Sequence, residues 1–233
     1  MAVSLGQSAV YSILSLLNKL TLNVDLNQQT TSMNSSVTPD RPWLDLLYQL
    51  SYIAFPLVPA FLALYLLRIS GQRETIGFDL KRPGFDLAWG CGLLAAIGIP
   101  GLGLLALAKA LNLNTHIAPA NLAAHWWTIP VLVGLAVMNG VLEEVVMLGY
   151  FFTRAKQLGW HLAVIVIASA AIRGCYHLYQ GWGSGFGNFC MGLLCGLVFI
   201  KTKRVMPLVV AHTLLDVFSF VGYSLLEPWL TWI

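Results

Sequence analysis

WTIPVLVGLAVMNGVLEEVVMLGYFF, residues 127–152, is long enough to cross a bilayer as one helix, yet it carries two adjacent carboxylates, Glu143 and Glu144. A helix rises about 1.5 Å per residue, so some twenty apolar residues cover a hydrocarbon core of roughly 30 Å. Comparable runs lie on both sides of it, at residues 44–67, 87–108, 162–179, 186–200 and 205–226. The 186–200 run is short for a full crossing, and Pro100 should kink the 87–108 run. The predicted fold is therefore all-α: a polytopic transmembrane helical bundle of about six spans, plus an N-terminal helix that is either interfacial or a seventh span.

Composition agrees, with 58% hydrophobic and 10% charged residues, where soluble domains have about 25% charged. The net charge is only +3, and the basic residues fall in short segments between spans, which excludes a nucleic-acid-binding surface. Cys91, Cys175, Cys190 and Cys195 all lie in apolar stretches and are predicted to be small core residues, not a disulfide framework or a soft-metal cluster. No basic n-region opens the chain, whose first lysine is Lys19, so a cleaved signal is not expected. Leu5, Val10, Ile13, Leu14, Leu17 and Leu20 recur at helical spacing, as in an interfacial helix. Residues 27–42, NQQTTSMNSSVTPDRP, have almost no apolar side chain and two prolines, which predicts a linker that forms no buried element. The chain divides into residues 1–42, helix and polar linker, and residues 43–233, the transmembrane domain.

Lysine and arginine set the expected orientation. Arg68, Arg73, Lys81 and Arg82 follow the first span, Arg154 and Lys156 the third, and Lys201, Lys203 and Arg204 the fifth, whereas residues 111–126 and 180–185 contain none. Those three basic loops then share one side, taken as cytoplasmic, of what is expected to be a bacterial inner or plasma membrane. GWGSGFGN at 181–188 has neither the lysine of a phosphate loop nor dinucleotide-binding spacing. Gly192 and Gly196, four apart, suit close helix packing.

An ionisable side chain inside a bilayer costs about 2.5 to 3.5 kcal/mol on insertion scales, so it is expected to face a partner or a wet cavity. The spans contain Glu143 and Glu144 in the third, Arg173 and His177 in the fourth, and His212 and Asp216 in the sixth. The last two pairs are each four residues apart and share a helical face. Adjacent glutamates diverge by about 100°, yet both can border the bundle interior. Tyr176, Tyr179 and Gln180 can extend the polar lining. A structural ion-pair network would account for any one of these residues; packing alone rarely needs paired carboxylates and two histidines on three helices.

A desolvated carboxylate beside imidazoles can hold and deprotonate a water. A histidine with a second polar group one turn on can stabilise the oxyanion that follows. This chemistry is amide hydrolysis. Glu143, His177 and His212 are also an N and O donor set for zinc, so a zinc site and a metal-free glutamate mechanism both stay open. Neither Ser169 nor Cys175 lies in a nucleophile motif. A proton-coupled carrier with Glu143, Glu144 and Arg173 as relay, and a catalytically silent immunity or anchoring protein, are the alternatives from other classes.

EEVVMLGY at 143–150, RGCYH at 173–177 and HTLLD at 212–216 together resemble the CPBP family of membrane proteases over about residues 135–222. That family includes the Ras-converting CAAX prenyl endopeptidase and bacterial Abi proteins, and its signatures run EExxxR, FxxxH and HxxxN on separate helices. The resemblance implies an intramembrane endopeptidase in which Glu143 and His177 activate water, with Glu144 as the second glutamate, and His212 and residue 216 stabilise the oxyanion. It also implies a peptide or protein substrate in contact with the bilayer, C-terminally processed or prenylated in part of the family. Three positions depart from the pattern: Leu148 stands for arginine, Arg173 for phenylalanine and Asp216 for asparagine. The first two departures predict a guanidinium moved from the third span to the fourth, still reaching the glutamates. Asp216 is expected to orient His212 or a metal.

Overall fold

The computed structural model describes residues 2–72 and 76–226, with side chains at residues 4–72 and 76–225. It is almost wholly helical, and six of its helices are long and apolar enough to cross a membrane. The chain is an integral, multi-pass membrane protein.

An N-terminal helix, α1 (Gln7–Leu20), precedes the first span, which is built from α2 (Pro42–Ala54) and α3 (Leu57–Ile69). The two halves meet at Pro56, whose missing N–H interrupts the ladder. The second span is α4 (Pro83–Ala110), which carries on through Pro100 as one continuous helix. The third begins as α5 (Thr128–Glu144), widens to π geometry over Val145–Phe151 and ends as α6 (Phe152–Gln157). Next come α7 (Leu162–Tyr176), a 3-10 turn at Leu178–Gln180, α8 (Trp182–Thr202) and α9 (Met206–Leu226).

At 21 residues α8 is a full crossing, contrary to its expected shortness. Of the glycines in GWGSGFGN, Gly181 caps this helix at φ +120° and Gly183, Gly185 and Gly187 lie in its first turns. A Cβ on Gly183 would collide with Ala108 of α4, and one on Gly187 would approach Leu104 to 2.9 Å. Glycine there lets two backbones approach, the small-residue packing that membrane helices favour.

Outward faces are apolar, as lipid demands. Val58, Phe61, Leu62 and Tyr65 of α3 are exposed, while Ala60, Ala63, Leu64 and Leu67 face the bundle. The third span is the centre: 67% of its most apolar window is buried, against 11% for α4. Two apolar clusters pack around it. One gathers Val145, Met147, Leu148 and Phe152 with Leu67, Ile165, Cys195, Val205 and Leu208. The other gathers Trp127, Val131, Leu132 and Leu135 with Phe220. Between them, along both α5 and α9, lies a polar belt at residues 139–144 and 212–216. The cysteines are free, and only part of the core expectation holds: Cys195 is buried and Cys175 partly so, whereas Cys91 and Cys190 are exposed on the outer face.

The three basic loops gather at one end of the bundle. Arg154 donates to the Leu66 carbonyl and to Ser70 Oγ at 2.9 and 3.0 Å, and Lys156 and Lys203 line one pocket with Gln72. Arg73 lies outside the described residues. Arg204 sends Nε and Nη2 to the two carboxylate oxygens of Asp86, both at 2.8 Å, and Nη2 to Asp79 at 3.0 Å. This clamp ties the start of α9 to the start of α4.

The opposite end overturns the expectation that residues 27–42 form no buried element. Strand β1 (Thr30–Ser32) pairs in parallel with β2 (His116–Ala118), and Thr31 at its centre is buried. Polar side chains suffice here because each finds a partner. Thr31 Oγ1 bonds Thr115 Oγ1 at 2.6 Å, and Lys19 Nζ donates to Thr31 Oγ1 and to the Tyr179 carbonyl, each at 2.5 Å. Helix α1 is inverted in its amphipathicity. Ser12 and Leu16 face the protein, with the Tyr179 N–H bonded to Ser12 Oγ at 2.6 Å, while Val10, Tyr11, Leu14 and Leu17 are exposed. The helix thus packs on α7 and the turn after it and leaves most of its apolar side chains on the exposed face.

Two measurements check this packing. A Cβ on Gly140 would lie 2.7 Å from Thr213 Oγ1 and 3.0 Å from the Val209 carbonyl, so Gly140→Val should prise α5 from α9 and lower unfolding free energy in detergent by about 1–3 kcal/mol. The Arg204 guanidinium holds the Asp79 carboxyl below its ordinary range. A lowered folded value stabilises above the unfolded pKa and is lost as pH falls through the folded one. Acid titration of the unfolding midpoint should therefore show an acid limb that Asp79→Asn flattens.

Candidate active site

The six ionisable residues singled out from three spans meet in the polar belt. Three features of the backbone bring them there. Glu143 and Glu144 end α5 just where the helix widens to π geometry, a widening frequent at functional sites. Arg173 sits in the last turn of α7, and His177 is its C-cap residue. On α9, His212 and Asp216 are one turn apart and face α5, which packs against it.

Glu144 is the hub. It is fully buried, and its Oε1 accepts from Arg173 Nη2 at 2.6 Å and from His212 Nδ1 at 2.8 Å. One carboxylate oxygen thus ties α5 to both α7 and α9. Arg173, 1% exposed, also brings Nη1 to 3.6 Å from Glu143 Oε2, and the same nitrogen contacts Met191 Sδ. The guanidinium therefore reaches both glutamates from α7, as the exchange of Leu148 and Arg173 predicts. Leu148 itself is packed in the apolar core.

Glu143 has a different environment. Tyr176 donates its hydroxyl to Glu143 Oε2 at 2.6 Å, and His212 Nε2 stands 4.0 Å from the same oxygen. Asp216 Oδ2 lies 3.9 Å from His212 Nε2. Separations of that size are bridged, if at all, by an intervening water or substrate atom. His177 lies within electrostatic range of Glu143 and His212, and both of its ring nitrogens are buried without a hydrogen-bond partner. An orphaned imidazole is costly, which makes His177 a candidate contact for a ligand atom. Glu144 Oε2 is buried and unpartnered too.

Tyr176 proves to be the direct partner of Glu143. Tyr179 and Gln180 bond each other and Met33 of the cap at the outer edge of the belt. The residue that the sequence analysis passed over is Asn139. Its Nδ2 donates to Asp216 Oδ2 at 2.8 Å. A signal was available: Asn139 precedes Glu143 by four residues, as His212 precedes Asp216, so antiparallel α5 and α9 set one pair opposite the other.

A metal fits this arrangement poorly. Among the described residues no three His, Cys, Asp or Glu side chains converge closely enough to hold an ion. Glu143 Oε2 is taken up by Tyr176, and a guanidinium stands beside it. Of the expected donor set, His177 has both ring nitrogens without a hydrogen-bond partner, and His212 Nε2 has only the contacts at 3.9 and 4.0 Å to Asp216 and Glu143.

Removing Arg173 would strand Glu144. Breaking one partner of a buried pair costs about 3–5 kcal/mol, so Arg173→Ala should lower the detergent unfolding free energy by that order, read by thermal or denaturant melting of the purified protein.

Residues 125–218 match the family model described as type II CAAX prenyl endopeptidase Rce1-like. No curated protein and no solved structure matches the chain. The matched segment runs from the loop before α5 to just past Asp216 and contains all six residues of the belt.

Proposed function

Belonging through residues 125–218 to the CAAX-protease family, the chain is, we propose, an intramembrane endopeptidase that hydrolyses a peptide bond with a water activated by Glu143. The observation that carries this is a buried Glu143 within electrostatic range of His177, whose two ring nitrogens have no hydrogen-bond partner, in a belt between two apolar clusters. Water entering that belt meets a base and an orienting imidazole together.

The groups present divide the work. Glu143 takes a proton from the water, which His177 orients by a hydrogen bond, and the hydroxide attacks the scissile carbonyl carbon. The negative charge then grows on the carbonyl oxygen, within reach of the donors on the α9 side of the belt. His212 has its Nδ1–H committed to Glu144; its Nε2 faces the Glu143 and Asp216 carboxylates and donates when the ring carries both protons. Arg173 and Glu144 hold these parts in register. Collapse of the tetrahedral species returns the proton from Glu143 to the departing amine nitrogen. No step needs a metal, although His177 offers nitrogens that a metal-assisted version would use.

The substrate is a peptide or protein segment that reaches the belt from the membrane, with the basic loops taken as cytoplasmic by the positive-inside rule. A prenylated C-terminus is the substrate that family membership favours.

The test is cleavage, in detergent or liposomes, of one CAAX-ended peptide in farnesylated and unmodified forms, followed by mass spectrometry. Glu143→Gln should lower the rate by about 10²–10⁴-fold, the usual contribution of a general base, while leaving the protein folded. Activity that survives EDTA and phenanthroline supports the metal-free route; loss restored by zinc would transfer the water to a metal. Wild-type protein inert toward both peptides would mark the chain as a silent member of the family.

A further inference from the structure

Resting on that proteolytic reading, we infer that Asn139 is a catalytic residue, the neutral amide donor that faces the scissile carbonyl, and that Asp216 acts only by holding it. Asp216 poses a difficulty in the belt. A carboxylate on the side where an oxyanion develops repels it, and catalysis requires donors aimed at that charge. The structure resolves this through Asn139. One of its two amide hydrogens goes to Asp216 Oδ2 at 2.8 Å, which fixes the side-chain plane and occupies the carboxylate oxygen that would otherwise face the belt. The second amide hydrogen is not used in that bond, and we assign it to the scissile carbonyl.

Register makes the placement specific. α5 and α9 run antiparallel and pack together, so Asn139 lies opposite Asp216 while Glu143 lies opposite His212. Gly140, between them, lets α9 approach so closely that a Cβ would sit 3.0 Å from the Val209 carbonyl. The amide is then one helical turn, about 5.4 Å along the axis, from the Glu143 carboxylate. A peptide carbonyl can lie between the two. His212 Nε2, 3.9 Å from Asp216 and 4.0 Å from Glu143, borders the same space. The belt thus has a base on one turn of α5 and a neutral donor on the preceding turn.

A merely structural role, in which Asn139 only neutralises the cost of burying Asp216, makes a different forecast. The experiment compares Asn139→Ala, Asn139→Ala/Asp216→Leu and Asn139→Ala/Asp216→Asn in the full-length protein, using the farnesylated and unmodified CAAX peptides, with melting temperature recorded for each. Loss of an oxyanion donor lowers kcat by about 10²–10³-fold and leaves KM within about threefold. The Leu variant removes donor and buried charge together, so it should fold like wild type and stay at the low kcat. The Asn variant restores an amide from the facing helix and should recover kcat to within about tenfold of wild type. A folded Asn139→Ala/Asp216→Leu protein with kcat within about threefold of wild type would overturn the assignment while leaving the proteolytic function standing. Wild-type protein that cleaves neither peptide would remove both.

Discussion

One oxygen atom, Glu144 Oε1, holds this bundle in register. Arg173 and His212, both buried, bond it at under 3 Å, so the central helix, α7 and α9 are tied at a single point. Charged contacts in low dielectric are strong only when geometry and partners are complete. Everything that could do chemistry hangs from that knot: Tyr176 and His177 follow Arg173 on α7, Asp216 follows His212 on α9, and Glu143 is next to Glu144 on α5. The apolar layers above and below exclude solvent from it and so make the knot matter.

Much of this was legible in the sequence. Every span was placed within a few residues because a lipid-exposed helix must be apolar for its whole length, and few soluble alternatives imitate that. The six ionisable residues stood out for the converse reason, since charge in such a helix is rare. The exchange of Leu148 and Arg173 could be anticipated because helices packed around one pocket can donate a guanidinium from either side, and the contacts of Arg173 with both glutamates agree with it.

What escaped had weaker signals. Asn139 is neutral, so it carries no insertion penalty large enough to draw notice, and its importance depends on the pairing register of two helices distant in sequence. The cap was missed because burial there is achieved by hydrogen bonds among Thr31, Thr115, Lys19 and Tyr179 and not by apolar side chains, which makes hydropathy blind to it. The start of α8 was placed four residues late, because Gly183 and Gly185, small against their neighbours, add little hydropathy to its first turns. Intrinsic preference for loops gave way to packing, as it often does between membrane helices.

The β1–β2 pairing joins residues 30–32 to residues 116–118 in parallel, so the first span and α4 must both be in place before the strands can meet. Closing so long a loop is entropically late, and a few hydrogen bonds hold it once closed. The outer cover is accordingly the part of the molecule that assembles after the walls it rests on and can part without loosening them.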